Sequence, residues 1–158
     1  GYFLFNILVH GFDVPWEETA GAFPGFDDIY QEAEVSAGYG FLAAQEGQVF
    51  RTTLQTALDQ NPDLIQLITW NDYGEGTNLE PTLELGYRYL ETVQEASQAI
   101  SGGASSYGPE NLRLPYELFQ LRGQYASDAA VMAELEQASA ALLSGDLPGA
   151  EEIIARYR

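Results

Sequence analysis

The sequence predicts an α/β fold, parallel βα units followed by an all-helical extension, and three observations predict it. Residues 2–9 and 64–70 are short, nearly continuous apolar runs, the character of strands buried on both faces. Between them, residues 41–60 place Phe41, Val49, Leu54 and Leu58 on roughly one helical stripe. Strand, loop, helix and strand in that order imply parallel strands joined by a right-handed crossover. Beyond a Gly/Ser-rich stretch at 101–109, the rest of the chain carries three helical patterns and no strand signal.

The first run, Tyr2 to Val9, ends in His10-Gly11-Phe12-Asp13, with Pro15 and Trp16 just after. His10 reads first as a hydrogen-bonded structural residue and second as a substrate contact. Residues 17–40 lack a sustained period and read as a long loop, with a turn signal at Pro24-Gly25. Phe12, Trp16, Phe23, Phe26, Tyr30 and Tyr39 enrich this region in rings that can stack on sugars, although core packing is their commoner use. Asn61-Pro62-Asp63 ends the helix. The second strand, from Leu64, then breaks into Asn71-Asp72-Tyr73-Gly74-Glu75-Gly76-Thr77, where two glycines permit a tight turn. That turn presents two carboxylates, Asp72 and Glu75, beside Trp70 and Tyr73. Loops at the carboxyl ends of parallel strands are where α/β enzymes build their sites. The same residues are common turn formers, so a plain connection is the competing reading.

After the turn, Leu83, Tyr87, Leu90, Val93 and Ala96 predict a helix to about residue 100, with Pro81 placed to open it. Residues 115–125, 128–144 and 148–157 read as three more helices, with Asp128 and Asp146 as N-caps and Ser144-Gly145 as a stop. The division expected is therefore βα units over 1–100, a linker over 101–109 and a helical extension over 110–158.

Composition narrows the function classes. The chain has 158 residues with 24 acids against six bases, a net charge of −18, and every base is arginine. A phosphate backbone requires Lys or Arg neutralisation, so nucleic acid is a poor partner. No apolar run approaches the ~18 residues of a membrane helix. With no cysteine and one histidine, disulfides, thiolate nucleophiles and His-rich metal sites are excluded. The opening Gly1-Tyr2, already inside an apolar pattern, suggests a chain whose true start lies upstream.

Ile68-Thr69-Trp70-Asn71-Asp72-Tyr73-Gly74-Glu75-Gly76-Thr77-Asn78-Leu79-Glu80-Pro81, continuing through Gly86-Tyr87-Arg88-Tyr89-Leu90-Glu91, resembles the last-strand signature of a group of (β/α)8 glycoside hydrolases. The group comprises the family-71 α-1,3-glucanases (mutanases) and the family-99 endo-α-mannosidases with their bacterial relatives. Trp70 to Glu75 is closer to the glucanase form, and Gly76-Thr77 through Glu80-Pro81 to the mannosidase-like form. Pro24-Gly25-Phe26-Asp27 and Asn61-Pro62-Asp63 also resemble that group, so the likeness spans roughly residues 23–91. It implies the C-terminal portion of a (β/α)8 barrel, with Asp72 and Glu75 as the catalytic acids. Trp70, Asn71, Tyr73, Glu80, Trp16 and His10 become candidate substrate-binding residues. The mannosidase-like form has Glu, Trp and His where this chain has Asp72, Tyr73 and Gly74, which argues against a mechanism through the substrate's own 2-hydroxyl. The expected partner is a polysaccharide or oligosaccharide, with no metal or other cofactor, and the expected location is extracellular or at the cell surface.

The chemistry asks for such a pair independently. Glycosidic cleavage needs one carboxyl to protonate the leaving oxygen and one carboxylate to activate a nucleophile. Glu75 is assigned as the acid and Asp72 as the base. Two carboxyls on one tight loop can also drive their pKa values apart, and their separation, ~5–5.5 Å or ~6.5–9.5 Å, sets retention or inversion. A closed barrel takes ~250 residues, so the chain would be its last part. Its edges would then be covered by another copy or by a missing N-terminal part of the same protein. The alternative is a non-catalytic glycan-binding, surface or assembly protein that keeps the acidic loop. A Ca²⁺ site at Asp72, Glu75 and Glu80 is a third reading, since oxygen ligands suffice, although the spacing matches no EF-hand loop.

Overall fold

A computed structural model describes residues 19–102 and 107–158. The strand expected at 2–9, and with it His10 and Trp16, lies outside the described residues. Among the described residues the architecture is mixed α/β: five α-helices and a small parallel sheet of two strands, with a short antiparallel ribbon. The chain divides into two compact units, residues 1–93 and 94–158.

In the first unit β1 (Thr19–Ala22) pairs in parallel with β4 (Leu64–Leu67), Thr19 opposite Leu64 and Ala22 opposite Leu67. The connection between them contains the ribbon of β2 (Phe26–Asp27) and β3 (Phe41–Leu42), then α1 (Gln48–Asp59). A parallel pairing around a helical crossover is present between Leu64–Leu67 and Thr19–Ala22, which lies inside the stretch read as loop, while the strand expected as its partner, 2–9, lies outside the described residues. The small side chains of β1 let α1 approach closely; Ala20 and Ala22 are buried. Phe50, Leu54 and Ala57 form the buried face of α1 at helical spacing. Phe50, fully buried, meets the Tyr89 ring edge-on at 5.3 Å. The Thr53 hydroxyl donates to Phe23 O at 2.8 Å and accepts from Phe23 N at 3.1 Å, tying α1 to the segment after β1.

Two helix boundaries and the burial of one strand differ from the expectation, each for a local reason. The helix read from residue 41 begins at Gln48, because Gln45, Glu46 and Gly47 hold φ values of +49°, +53° and +89°, which no right-handed helix can propagate through. The strand at Leu64–Leu67 is not buried on both faces: Leu64 is 60% and Leu67 38% exposed, since β4 has one strand partner among the described residues. The helix read from Leu83 begins only at Arg88, as α2 (Arg88–Ile100). Before it, Gly86 at φ +58° closes a turn in which its N–H donates to Thr82 O and the Thr82 hydroxyl accepts from Leu85 N, leaving Leu83 in solvent.

The second unit contains the end of α2, a 3-10 turn at Pro109–Arg113, and α3 (Leu114–Gln124), α4 (Ala129–Ser144) and α5 (Leu147–Ala155). Gln94 and Gln98 of α2 donate to Gly108 O and Tyr107 O. Leu114, Leu118, Leu121, Leu135, Ala138 and Ile154 form its core. Asp128 Oδ1 accepts from Ala130 N and Val131 N, and Asp146 Oδ1 from Gly149 N, so both N-caps act as expected. Gly145 ends α4 at φ +80°, the left-handed C-terminal stop.

Candidate functional site

The acidic turn follows β4 directly, at its carboxyl end. Ile68 anchors its base, buried with Phe26 and packed by Phe23 and Leu42. Above that anchor the backbone closes on itself. Thr69 N donates to Thr77 O at 2.8 Å, Leu79 N and Glu80 N to Trp70 O at 3.0 Å, and Thr77 N to Asp72 O at 3.1 Å. Inside the ring, the hydroxyls of Thr69 and fully buried Thr77 lie 3.0 Å apart. Thr69 Oγ1 also accepts from Asp72 N at 3.1 Å. The turn is thus held by its own polar groups as well as by packing.

Asp72 and Glu75 are brought together here. Asp72 Oδ1 accepts from Glu75 N at 3.0 Å, an Asx-type turn that fixes the Asp72 side chain against the backbone of its partner. Glu75 is the inner member, 5% exposed, and Asp72 is half-buried. The segment continuing β2 lies alongside: Asp27 N donates to Glu75 O at 2.9 Å and Ile29 N to Gly74 O at 3.0 Å. Gly76 makes that approach possible. At φ +63° it takes a left-handed conformation, and a Cβ there would stand 3.1–3.2 Å from Asp27 atoms.

The predicted substrate contacts divide. Tyr73 and Glu80 are joined, Tyr73 Oη donating to Glu80 Oε1 at 2.6 Å, and that bond holds the phenol above its ordinary 10.0. Trp70 (55% exposed), Tyr73 (54%) and Asn71 present their side chains to solvent around the turn. Among the described residues no group of three or more His or acidic side chains is arranged to hold a metal ion, so Asp72, Glu75 and Glu80 do not form such a cluster. No helix among those residues is long and apolar enough to cross a membrane.

Tyr30 belongs to the aromatic loop, Phe12 to Tyr39, that sequence reasoning offered as a whole as sugar-facing without singling this residue out. Partial burial first, then the Glu75, Asp72 and Asp28 carboxylates and Tyr39, hold its hydroxyl above the ordinary 10.0. Its presence near Glu75 follows from the pairing of residues 27–29 with 74–75. No spacing in the sequence signals it; the aromatic content of the loop was the only sign. Compared with known proteins, the chain matches no family model, no curated protein and no solved structure.

Proposed function

We propose that the chain is the catalytic-loop portion of a glycoside hydrolase that cleaves α-linked glucan or mannan outside the cell or at its surface. In this reading residues up to about 100 belong to the C-terminal βα units of a (β/α)8 barrel, and residues 110–158 extend it with helices. The observation that carries the reading is the Trp70-to-Pro81 motif standing at the carboxyl end of a parallel strand with its two acids locked together by the Asp72–Glu75 turn. Glu75 donates the proton to the leaving oxygen, and Asp72, the more exposed carboxyl, activates the nucleophile. Trp70 and Tyr73 supply exposed aromatic faces for the sugar rings.

In the intact protein that carries this chain, Asp72→Asn and Glu75→Gln should each lower kcat on α-1,3-glucan or α-mannan roughly 10²–10⁴-fold, with folding unchanged. Undiminished hydrolysis in both variants would sink the assignment. The exposure of Trp70 and Tyr73 also favours a second reading, glycan binding without cleavage. A parent protein that binds these oligosaccharides yet releases no reducing ends would support it.

A further inference from the structure

We propose that Tyr30 is a substrate-binding residue of this site, its hydroxyl donating a hydrogen bond to a sugar oxygen held beside Asp72 and Glu75. The inference rests on the glycosidase reading and adds to it a residue from a distant part of the chain. Two backbone hydrogen bonds, from Asp27 N and Ile29 N to Glu75 O and Gly74 O, bring the segment that precedes Tyr30 against the bend between the two acids. The point where a Cβ on Gly74 would sit is 3.9 Å from Tyr30 Oη and 3.4 Å from Asp72 Oδ1. Hydroxyl and carboxylate therefore share the space that Gly74, having no side chain, leaves open.

Tyr30 is fixed on its other side. Its N–H donates to Asp28 Oδ1 at 3.1 Å, Asp28 Oδ2 accepts from Tyr39 N at 2.6 Å, and the Tyr39 ring stands edge-on at 6.2 Å. Burial first, then the Glu75, Asp72 and Asp28 carboxylates, raise the phenol pKa above its ordinary value. A phenol hydroxyl that borders the same open space as the Asp72 carboxylate is a donor for an oxygen placed there. Sugar hydroxyls and a glycosidic oxygen are such acceptors. A tyrosine that only packed would leave binding indifferent to its hydroxyl.

The test uses the intact protein with an α-1,3-linked gluco-oligosaccharide and an α-linked manno-oligosaccharide. Tyr30→Phe should keep the parent's thermal midpoint while kcat/KM on the cleaved oligosaccharide falls roughly tenfold. Followed by tyrosine ring-carbon NMR, the Tyr30 phenol should titrate lower in Asp72→Asn and in Glu75→Gln than in the parent. Gly74→Ala, which leaves Tyr30 intact and puts a methyl group into the shared space, should weaken oligosaccharide binding, and it keeps the test alive should Tyr30→Phe fail to fold. Unchanged kcat/KM in Tyr30→Phe, unchanged binding in Gly74→Ala, or a Tyr30 titration indifferent to both acids would each overturn the proposal. An active parent whose activity survives Asp72→Asn and Glu75→Gln defeats the glycosidase reading. Activity lost in those two and kept in Tyr30→Phe defeats only the role of Tyr30.

Discussion

Gly76 and Tyr73 show how single positions set the turn. Gly76 at φ +63° sits where a side chain would meet both a left-handed backbone and the Asp27 backbone 3.1 Å away. Gly76→Ala should therefore destabilise the first unit by about 1–2 kcal/mol, seen as a lower denaturant midpoint. An unchanged midpoint would mean that the turn is not held against β2. Tyr73 controls a pH dependence instead. Its bond to Glu80 raises the phenol pKa in the folded chain, so the folded form retains a proton that the unfolded form loses near 10.0. The associated stability is present in full below that value and is lost as pH rises through the folded one. Tyr30, raised by burial and by its facing carboxylates, acts in the same direction. Denaturation midpoints measured from about pH 9 to about pH 11 should fall in the parent and fall less in Tyr73→Phe. Parallel curves for the two proteins would remove Tyr73 from the account.

At the scale of elements, the helices α3 to α5 were legible because their ends carry their own chemistry. Asp128 and Asp146 accept from the first-turn N–H groups, and Gly145 supplies the left-handed stop. Asp128→Ala should cost about 1 kcal/mol, measured as a lower thermal midpoint of the helical signal, because two amide donors lose their acceptor. No change would show that water replaces the cap fully. The elements misread were those fixed by partners rather than by local pattern. Thr19–Ala22 is a strand because it pairs with Leu64–Leu67 and lies under α1, while its Thr-Ala-Gly-Ala sequence has a single β-branched residue and no run of the kind that marks strands. The starts of α1 and α2 were displaced by backbone conformations at residues 45–47 and at Gly86 that apolar spacing does not encode. The acidic turn was legible as a turn because Asn, Asp and Gly dictate one. Tyr30 was not, since only the pairing of residues 27–29 with 74–75 places it there.

Across the whole molecule, charge is distributed unevenly between the two units. Of the six arginines, Arg113, Arg122, Arg156 and Arg158 belong to residues 94–158, where Arg122 pairs with Glu136, Arg156 with Glu134 and Arg158 with Glu117. These pairs are partly or largely solvent-exposed and add little stability, so the second unit depends on its leucine core. Leu135, fully buried, is central to that core, with Ala138 and Ile154 also buried there. Leu135→Ala removes a buried side chain from a small unit and should cost about 2–5 kcal/mol, comparable with the roughly 3–5 kcal/mol that a core of this size supplies. Amide exchange measured along the chain should then show protection lost through α3, α4 and α5 and kept in α1 and the 69–77 turn, whose buried residues lie in the first unit. Protection lost equally in α1 would mean that the chain folds as a single cooperative body, with the helical extension required to hold the acidic turn in place.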